Sequence, residues 1–186
     1  MIKLKIISGK FKGRVLKGFD IKGTRPTMDR VKESLFASIQ DYIKDSTILD
    51  LYSGSGNLAI EAISNGAKEA YLVDNNKIAI NTIKENIKLL NISNCIVINS
   101  NASLALNNFI LNKNKFDIIF LDPPYNTNEL DISLDIINKN VDLLNDNALV
   151  ICETEKYIDY SIYNNLNIYK EKKYGSKKVA ILKKLH

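Results

Sequence analysis

Thr47-Ile48-Leu49-Asp50-Leu51-Tyr52-Ser53-Gly54-Ser55-Gly56-Asn57-Leu58-Ala59-Ile60 is a short apolar run, a glycine-punctuated turn and the start of an amphipathic helix, in that order. The spacing predicts a buried strand over 47–52 and a helix over 57–65, which Gly66 can end in a left-handed conformation. The same unit repeats downstream. Strand 70–74 precedes a helix with Ile80, Ile83, Ile87 and Leu90 on one side, and strand 95–99 precedes a helix from about Ser103 to Leu111. Strand 116–121 precedes a helix with Leu130, Leu134, Ile137, Val141 and Leu144 in register. A strand at 148–153 and two closing strands, 166–173 and 178–184 around Gly175-Ser176, complete the pattern. Seven strands alternating with helices predict an α/β fold with a mostly parallel sheet covered on both faces.

Upstream of this unit, Ile6 to Leu16 alternates loosely, with Gly9 and Gly13 at turn positions, and reads as a small β-hairpin. Val31, Leu35, Phe36, Ile39 and Ile43 then make one apolar helix face, for which Thr27 is a candidate N-cap. Residues 1–24 therefore read as a basic hairpin extension and 25–186 as the main domain.

At 186 residues, with 45% apolar and 25% charged residues, the chain has room for one well-cored domain. No apolar stretch reaches the roughly 20 residues of a membrane span, and Met1-Ile2-Lys3-Leu4-Lys5 carries charge where a signal peptide needs apolar residues. A cytoplasmic, membrane-free protein is expected. Cys95 and Cys152 lie in separate apolar runs, as buried thiols do, and the one histidine is His186, which excludes a Ser-His-Asp triad and leaves no expectation of a metal. Charge is uneven. Residues 1–30 carry +7 and residues 170–186 carry +6, so with +5 overall the stretch 31–169 holds −8. Basic margins around an acidic centre suit a polyanion held at the edge of an acidic site, although solvated surface lysines would give the same sum.

In doubly wound sheets ligands lie beyond the carboxyl ends of the strands, where strand order reverses. Asp50, Gly54 and Gly56 follow the first core strand, Asp74 ends the second, Asn101 follows the third and Asp122 ends the fourth. Gly54 to Ala59 satisfies G-x-G-x-x-A, and Asp74 lies 18 residues beyond Gly56, near the spacing of a ribose-binding acid. A dinucleotide's pyrophosphate is poorly served by a carboxylate at Asp50. S-adenosyl-L-methionine, phosphate-free and carrying a cationic sulfonium and an amino group, is well served by it. Asp74 would hold the ribose diol, and Asn101 with Ala102 the adenine edge.

Asp122-Pro123-Pro124-Tyr125 points to the acceptor of the methyl group. The prolines hold the turn extended and offer no N–H, leaving the Asp122 carboxylate and the Pro123 carbonyl as acceptors for an –NH2 group, with the Tyr125 ring as a stacking face. An exocyclic amine on a nucleobase fits.

Three stretches, Arg25 to Phe36 (RPTMDRVKESLF), Leu49 to Gly56 and Asp122 to Tyr125, resemble the RsmD family of bacterial small-subunit rRNA guanine-N2 methyltransferases; Ser8 to Arg14 and Tyr174-Gly175 also fit its pattern. The resemblance spans nearly the whole chain, and its Arg-Pro-Thr block is the specific part. It implies a Rossmann-like S-adenosylmethionine-dependent fold and methylation of 16S rRNA, of the guanine-966 type, on partly assembled small subunits; a monomer is expected. By position it implies cofactor contacts from Asp50, Gly54, Gly56, Asp74, Asn101 and Ala102, and a target-base site of Asp122, Pro123, Pro124 and Tyr125. Asn101 departs from the Asp that related methyltransferases often carry. Lys10, Lys12, Arg14, Arg25 and Arg30 would hold phosphates. An adenine-N6 DNA methyltransferase shares the proline motif, but 186 residues leave little room for a DNA-reading domain. Protein-glutamine methyltransferases usually carry Asn before the prolines, a nicotinamide oxidoreductase leaves Asp50 unexplained, and a non-catalytic RNA-binding assembly factor accounts for the charge alone.

Overall fold

The computed structural model describes residues 3–18 and 28–185. A two-stranded antiparallel sheet pairs β1 (Lys3–Lys5) with β2 (Val15–Lys17). The expected hairpin is present, but its first strand lies before the stretch whose alternation suggested it, its second takes in that stretch's last two residues, and residues 6–14 form the connection. After α1 (Met28–Ile43) the chain alternates: β3 (Thr47–Asp50), α2 (Asn57–Ser64), β4 (Glu69–Asp74), α3 (Lys77–Leu89), β5 (Cys95–Asn99), α4 (Ala102–Leu111), β6 (Phe116–Leu121) and α5 (Glu129–Lys139). The chain closes with β7 (Leu144–Thr154), β8 (Leu166–Tyr174) and β9 (Lys177–Lys184). Thr27, Arg25 and the boundary placed after residue 24 lie outside the described residues.

The large sheet has the order β5-β4-β3-β6-β7-β9-β8. The first five strands in that order are parallel, and β9 runs antiparallel to both β7 and β8. Period-two side-chain alternation sorts each strand between two cores. Leu49, Ile119, Leu121 and Val150 pack with α4 and α5. Ile48, Ile118, Phe120, Leu149 and Ile151 pack with α1 and α2. Phe36 of α1 stacks on Phe120 with ring centroids 6.0 Å apart.

One expected helix is too long. Apolar spacing carried it through Val141 and Leu144, but α5 stops at Lys139, a 3-10 turn covers Val141–Leu143, and Leu144 already belongs to β7. Leu143 and Leu144 are buried in the same core as Leu134 and Ile137, so the periodicity outlives the helix that began it.

The hairpin is bound into the domain. Leu4, Ile6 and Leu16 share a core with Ile60 and Leu90. The Glu61 carboxylate accepts hydrogen bonds from the Ile7 and Ser8 amides and from the Ser8 hydroxyl, and its charge is met by the Lys32 ammonium at 2.8 Å. Lys32 is 2% exposed and Glu61 0%, and the same ammonium donates to the Lys5 carbonyl and to Asn57 Oδ1. Gly9 lies so close to α2 that a Cβ there would sit 1.9 Å from the Ser64 carbonyl oxygen, and its φ is +76°.

Candidate active site

Strand order reverses between β3 and β6, so the crevice opens beyond their carboxyl ends. Two turns line it. In the first, Gly54 and Gly56 have φ of 55° and 80°, left-handed values that side chains resist. A Cβ on Gly56 would also meet Leu72 Cδ2 at 3.0 Å and Ile60 Cδ1 at 3.2 Å. Gly56 caps α2 with no side chain to offer; the task falls to Asp50, whose Oδ2 accepts the Ala59 amide at 3.3 Å. A carboxylate under a helix N-terminus is favourably placed. Even so, Asp50 is buried, and desolvation, with a smaller contribution from the Asp74 charge, raises its pKa from 3.8 to about 7. The protein thus holds a carboxylate that a cationic ligand would relieve.

Asp74 closes β4 and grips the glycine turn: its Oδ2 accepts from the Gly54 amide at 2.9 Å and its Oδ1 from the Asn76 amide at 2.8 Å. Its carboxylate is thereby oriented, with further lone pairs for a diol. Asn101 N-caps α4 by accepting the Leu104 amide at 2.8 Å, and buried Ala102 is the first residue of that helix. The departure from Asp is physically mild, because either side chain caps a helix.

The second turn starts at Asp122. Burial raises the Asp122 pKa well above the usual carboxylate value; the Glu153 charge and, more weakly, the Asp50 charge add to this, and Lys177 opposes it. Pro123 is buried and Pro124 exposed, with Pro124 accepting from Thr127 Oγ1 at 2.8 Å. Tyr125 donates its hydroxyl proton to Glu153 at 2.9 Å, and Lys177 Nζ lies 5.3 Å from its ring centroid. Lys177 also forms an ion pair with Glu153, both residues being 16% exposed. Asp122 and Glu153 share an apolar recess walled by Leu35, Leu58, Ile151 and Val179. The two turns are clasped: Tyr52, in the first, hydrogen-bonds Ser133 at 2.7 Å and Glu129 Oε2 at 3.1 Å on α5, which follows the second.

Asp50, Gly54, Gly56, Asp74, Asn101, Ala102 and Asp122 to Tyr125 therefore all lie at the carboxyl ends of the parallel strands. The basic residues divide. Arg30 is exposed on the first turn of α1. Lys10, Lys12 and Arg14 are exposed on the hairpin connection, where the Lys10 amide donates to the Ser64 carbonyl at 2.7 Å. That is the far end of α2, eight residues or about 12 Å from the glycine turn. Glu153 and Lys177 escaped the sequence reading. Glu153 obeys the rule that selected Asp50, Asp74 and Asp122, being an acid near the carboxyl end of a parallel strand. Lys177 had no such signal, since its place beside Glu153 comes from the antiparallel insertion of β9.

The donor set fits a cationic, phosphate-free cofactor. It offers a buried carboxylate, a glycine turn permitting close approach and an oriented acid on the neighbouring strand. The fold is that of the Rossmann-like S-adenosylmethionine-dependent methyltransferases. It superposes on yhhF from Escherichia coli with a TM-score of 0.83 and 29% identity, covering 98% of each chain. At 15% identity it shares its fold with the Thermus thermophilus 16S rRNA N2 G1207 methyltransferase RsmC, solved with AdoMet and guanosine, at a TM-score of 0.74 over 99% of this chain and 50% of that one.

The family model described as Conserved hypothetical protein 95 matches residues 4–183, and the chain belongs to that family. Ribosomal RNA small subunit methyltransferase D of Haemophilus influenzae is 37% identical to it over 175 residues, 93% of this chain and 90% of that protein.

Proposed function

We propose that this protein methylates the exocyclic N2 amine of a guanine in small-subunit rRNA, with S-adenosylmethionine as methyl donor. The observation that carries the reading is the convergence of Asp50 and Asp122 on the crevice at the strand-order reversal, one carboxylate under the glycine turn and the other opening the proline turn. The name of one relative, ribosomal RNA small subunit methyltransferase D, supports small-subunit rRNA as the substrate. The target position, 966 in the type this chain resembles, together with a partly assembled subunit as substrate and a monomeric cytoplasmic enzyme, belongs to the proposal.

When bound, S-adenosylmethionine supplies a methyl carbon on a cationic sulfur, whose bond to sulfur breaks with its electron pair staying on sulfur as the new C–N bond forms. Asp50 counters the positive charge of that ligand, and Asp74 orients its ribose. Asp122 and the Pro123 carbonyl accept the two N2 hydrogens, which draws the planar amine towards a tetrahedral nitrogen whose lone pair points at the methyl carbon. That interaction is stronger in the transition state than in the ground state. The surplus proton leaves the methylated nitrogen for Asp122, whose raised pKa makes it a better acceptor than an exposed carboxylate, or for water. Tyr125, held by Glu153, supports the unstacked base.

Incubating the purified chain with labelled S-adenosylmethionine and small subunits lacking the modification should yield N2-methylguanosine by nucleoside mass spectrometry. Label appearing only in N6-methyladenosine of DNA, or in no substrate, would overturn the reading.

A further inference from the structure

Between α1 and the edge hairpin β8–β9 lies a row of lysines paired with hydroxyls. Lys172 Nζ donates to Ser34 Oγ at 2.9 Å, Lys170 Nζ to Ser38 Oγ at 3.1 Å, and Lys183 Nζ to the Tyr42 hydroxyl at 2.6 Å. Ser34, Ser38 and Tyr42 are spaced four residues apart, so they line one face of the helix, and Arg30 stands one turn above them on that face. Lys170 and Lys172 project from the same face of β8, two residues or roughly 6.6 Å apart. Lys183 also lies over the Tyr42 and Tyr169 rings, 4.8 and 4.3 Å from their centroids.

The charge here is uncompensated. Among the described residues, Lys170, Lys172 and Lys183 form no ion pair, whereas buried Lys32 and half-buried Lys177 each have a glutamate. The acid whose charge acts on Tyr42 is Asp41, its neighbour in α1, and Glu171 sits exposed on the opposite face of β8. An ammonium whose partner is a hydroxyl can exchange it for an anionic oxygen, which makes the stronger, charge-assisted hydrogen bond.

The row also leads to the site. Ser34 precedes Leu35, which walls the recess holding Asp122 and Glu153, and Tyr174, at the site end of β8, donates its hydroxyl proton to Ser34 Oγ at 2.6 Å. We propose that the α1–β8 seam is the track along which the RNA strand flanking the target guanine is held, its successive phosphates taken by Lys172 and Lys170 below Arg30. This inference rests on the rRNA-methyltransferase reading. The track lies beside the acceptor turn, while Lys10, Lys12 and Arg14 lie at the far end of α2.

The test uses the full chain with Lys170→Gln/Lys172→Gln, which keeps donors for both serines while removing two charges. Its Kd for a fluorescent single-stranded 16S rRNA fragment should rise roughly tenfold at 0.15 M salt, and the slope of log K against log salt should fall by about 1.4. S-adenosylmethionine affinity by calorimetry should stay within twofold of wild type. Ser34→Ala/Ser38→Ala should leave RNA affinity unchanged, because the lysines surrender those partners in any case. Photo-crosslinking of the wild-type protein should mark peptides of β8 and α1. An unchanged Kd and salt slope in the lysine variant, an equal loss in the serine variant, or crosslinks confined to residues 9–18 would each overturn the track. If the wild-type protein methylates no rRNA while binding it along this seam, the function reading fails and the surface stands.

Discussion

Replacing Asp50 with asparagine should make the ligand-free protein more stable and the cofactor bind more weakly. The rise of its pKa from 3.8 to about 7 means that the folded state resists ionisation of this group. The sign follows from proton counts: between those values the folded chain binds the proton and the unfolded chain does not, so stability falls as pH rises from about 4 to 7 and levels off above 7. The full difference corresponds to roughly 4 kcal/mol at pH 8. Asparagine keeps an oxygen for the Ala59 amide but adds N–H groups that need acceptors, which costs about 1–2 kcal/mol. A net gain of about 2 kcal/mol should raise Tm by roughly 4–8 °C for a chain of this size. Thermal unfolding of both proteins at pH 4.5 and pH 8 should show the gain at pH 8 and none at pH 4.5. Calorimetry should show S-adenosylmethionine affinity of the native protein climbing between pH 6 and 8, with proton release on binding, and the variant lacking both. A pH-independent stability difference, or unaltered cofactor affinity in the variant, would refute the argument.

Asp122→Ala should lower N2-methylguanosine formation by about 10²–10³-fold while cofactor affinity by calorimetry stays within twofold, as for loss of one transition-state contact; a variant as active as wild type would end the acceptor role. Native activity should decline as pH falls through the raised Asp122 pKa, because its acceptor form disappears. Lys32→Met strands the buried Glu61 charge and should cost about 3–5 kcal/mol in urea unfolding. Reversing the charges of Lys10, Lys12 and Arg14 should raise the RNA Kd and flatten its salt dependence less than the Lys170/Lys172 variant does, measured on the same fragment.

The strand–helix alternation, the glycine turn and the proline turn were legible in the chain because each is a local matter. Strands 95–99 and 116–121 need only an apolar run of strand length, Gly56 needs only a positive φ, and Asp50, Asp74 and Asp122 are marked by ending strands. An error arose where burial mimicked periodicity: Val141 and Leu144 continue the apolar spacing of α5, but Val141 lies in the 3-10 turn and Leu144, buried in the same core, belongs to β7. The N-terminal charge count says nothing of where those charges go: Lys10, Lys12 and Arg14 follow the hairpin to the far end of α2, held there by Glu61 and Ser64.

Local patterning by itself determined which residues end strands and hence which face a crevice, since side-chain period and backbone dihedrals act over a few residues. Tertiary structure alone decided which strand ends meet. The order β3-β6 brings Asp50 to Asp122, the antiparallel β9 sets Lys177 beside Glu153, and the β8 edge lays its lysines against α1. Such contacts join residues up to 141 positions apart, as Lys183 and Tyr42 are, and they depend on the order in which strands are added to the sheet, which no short window of sequence contains.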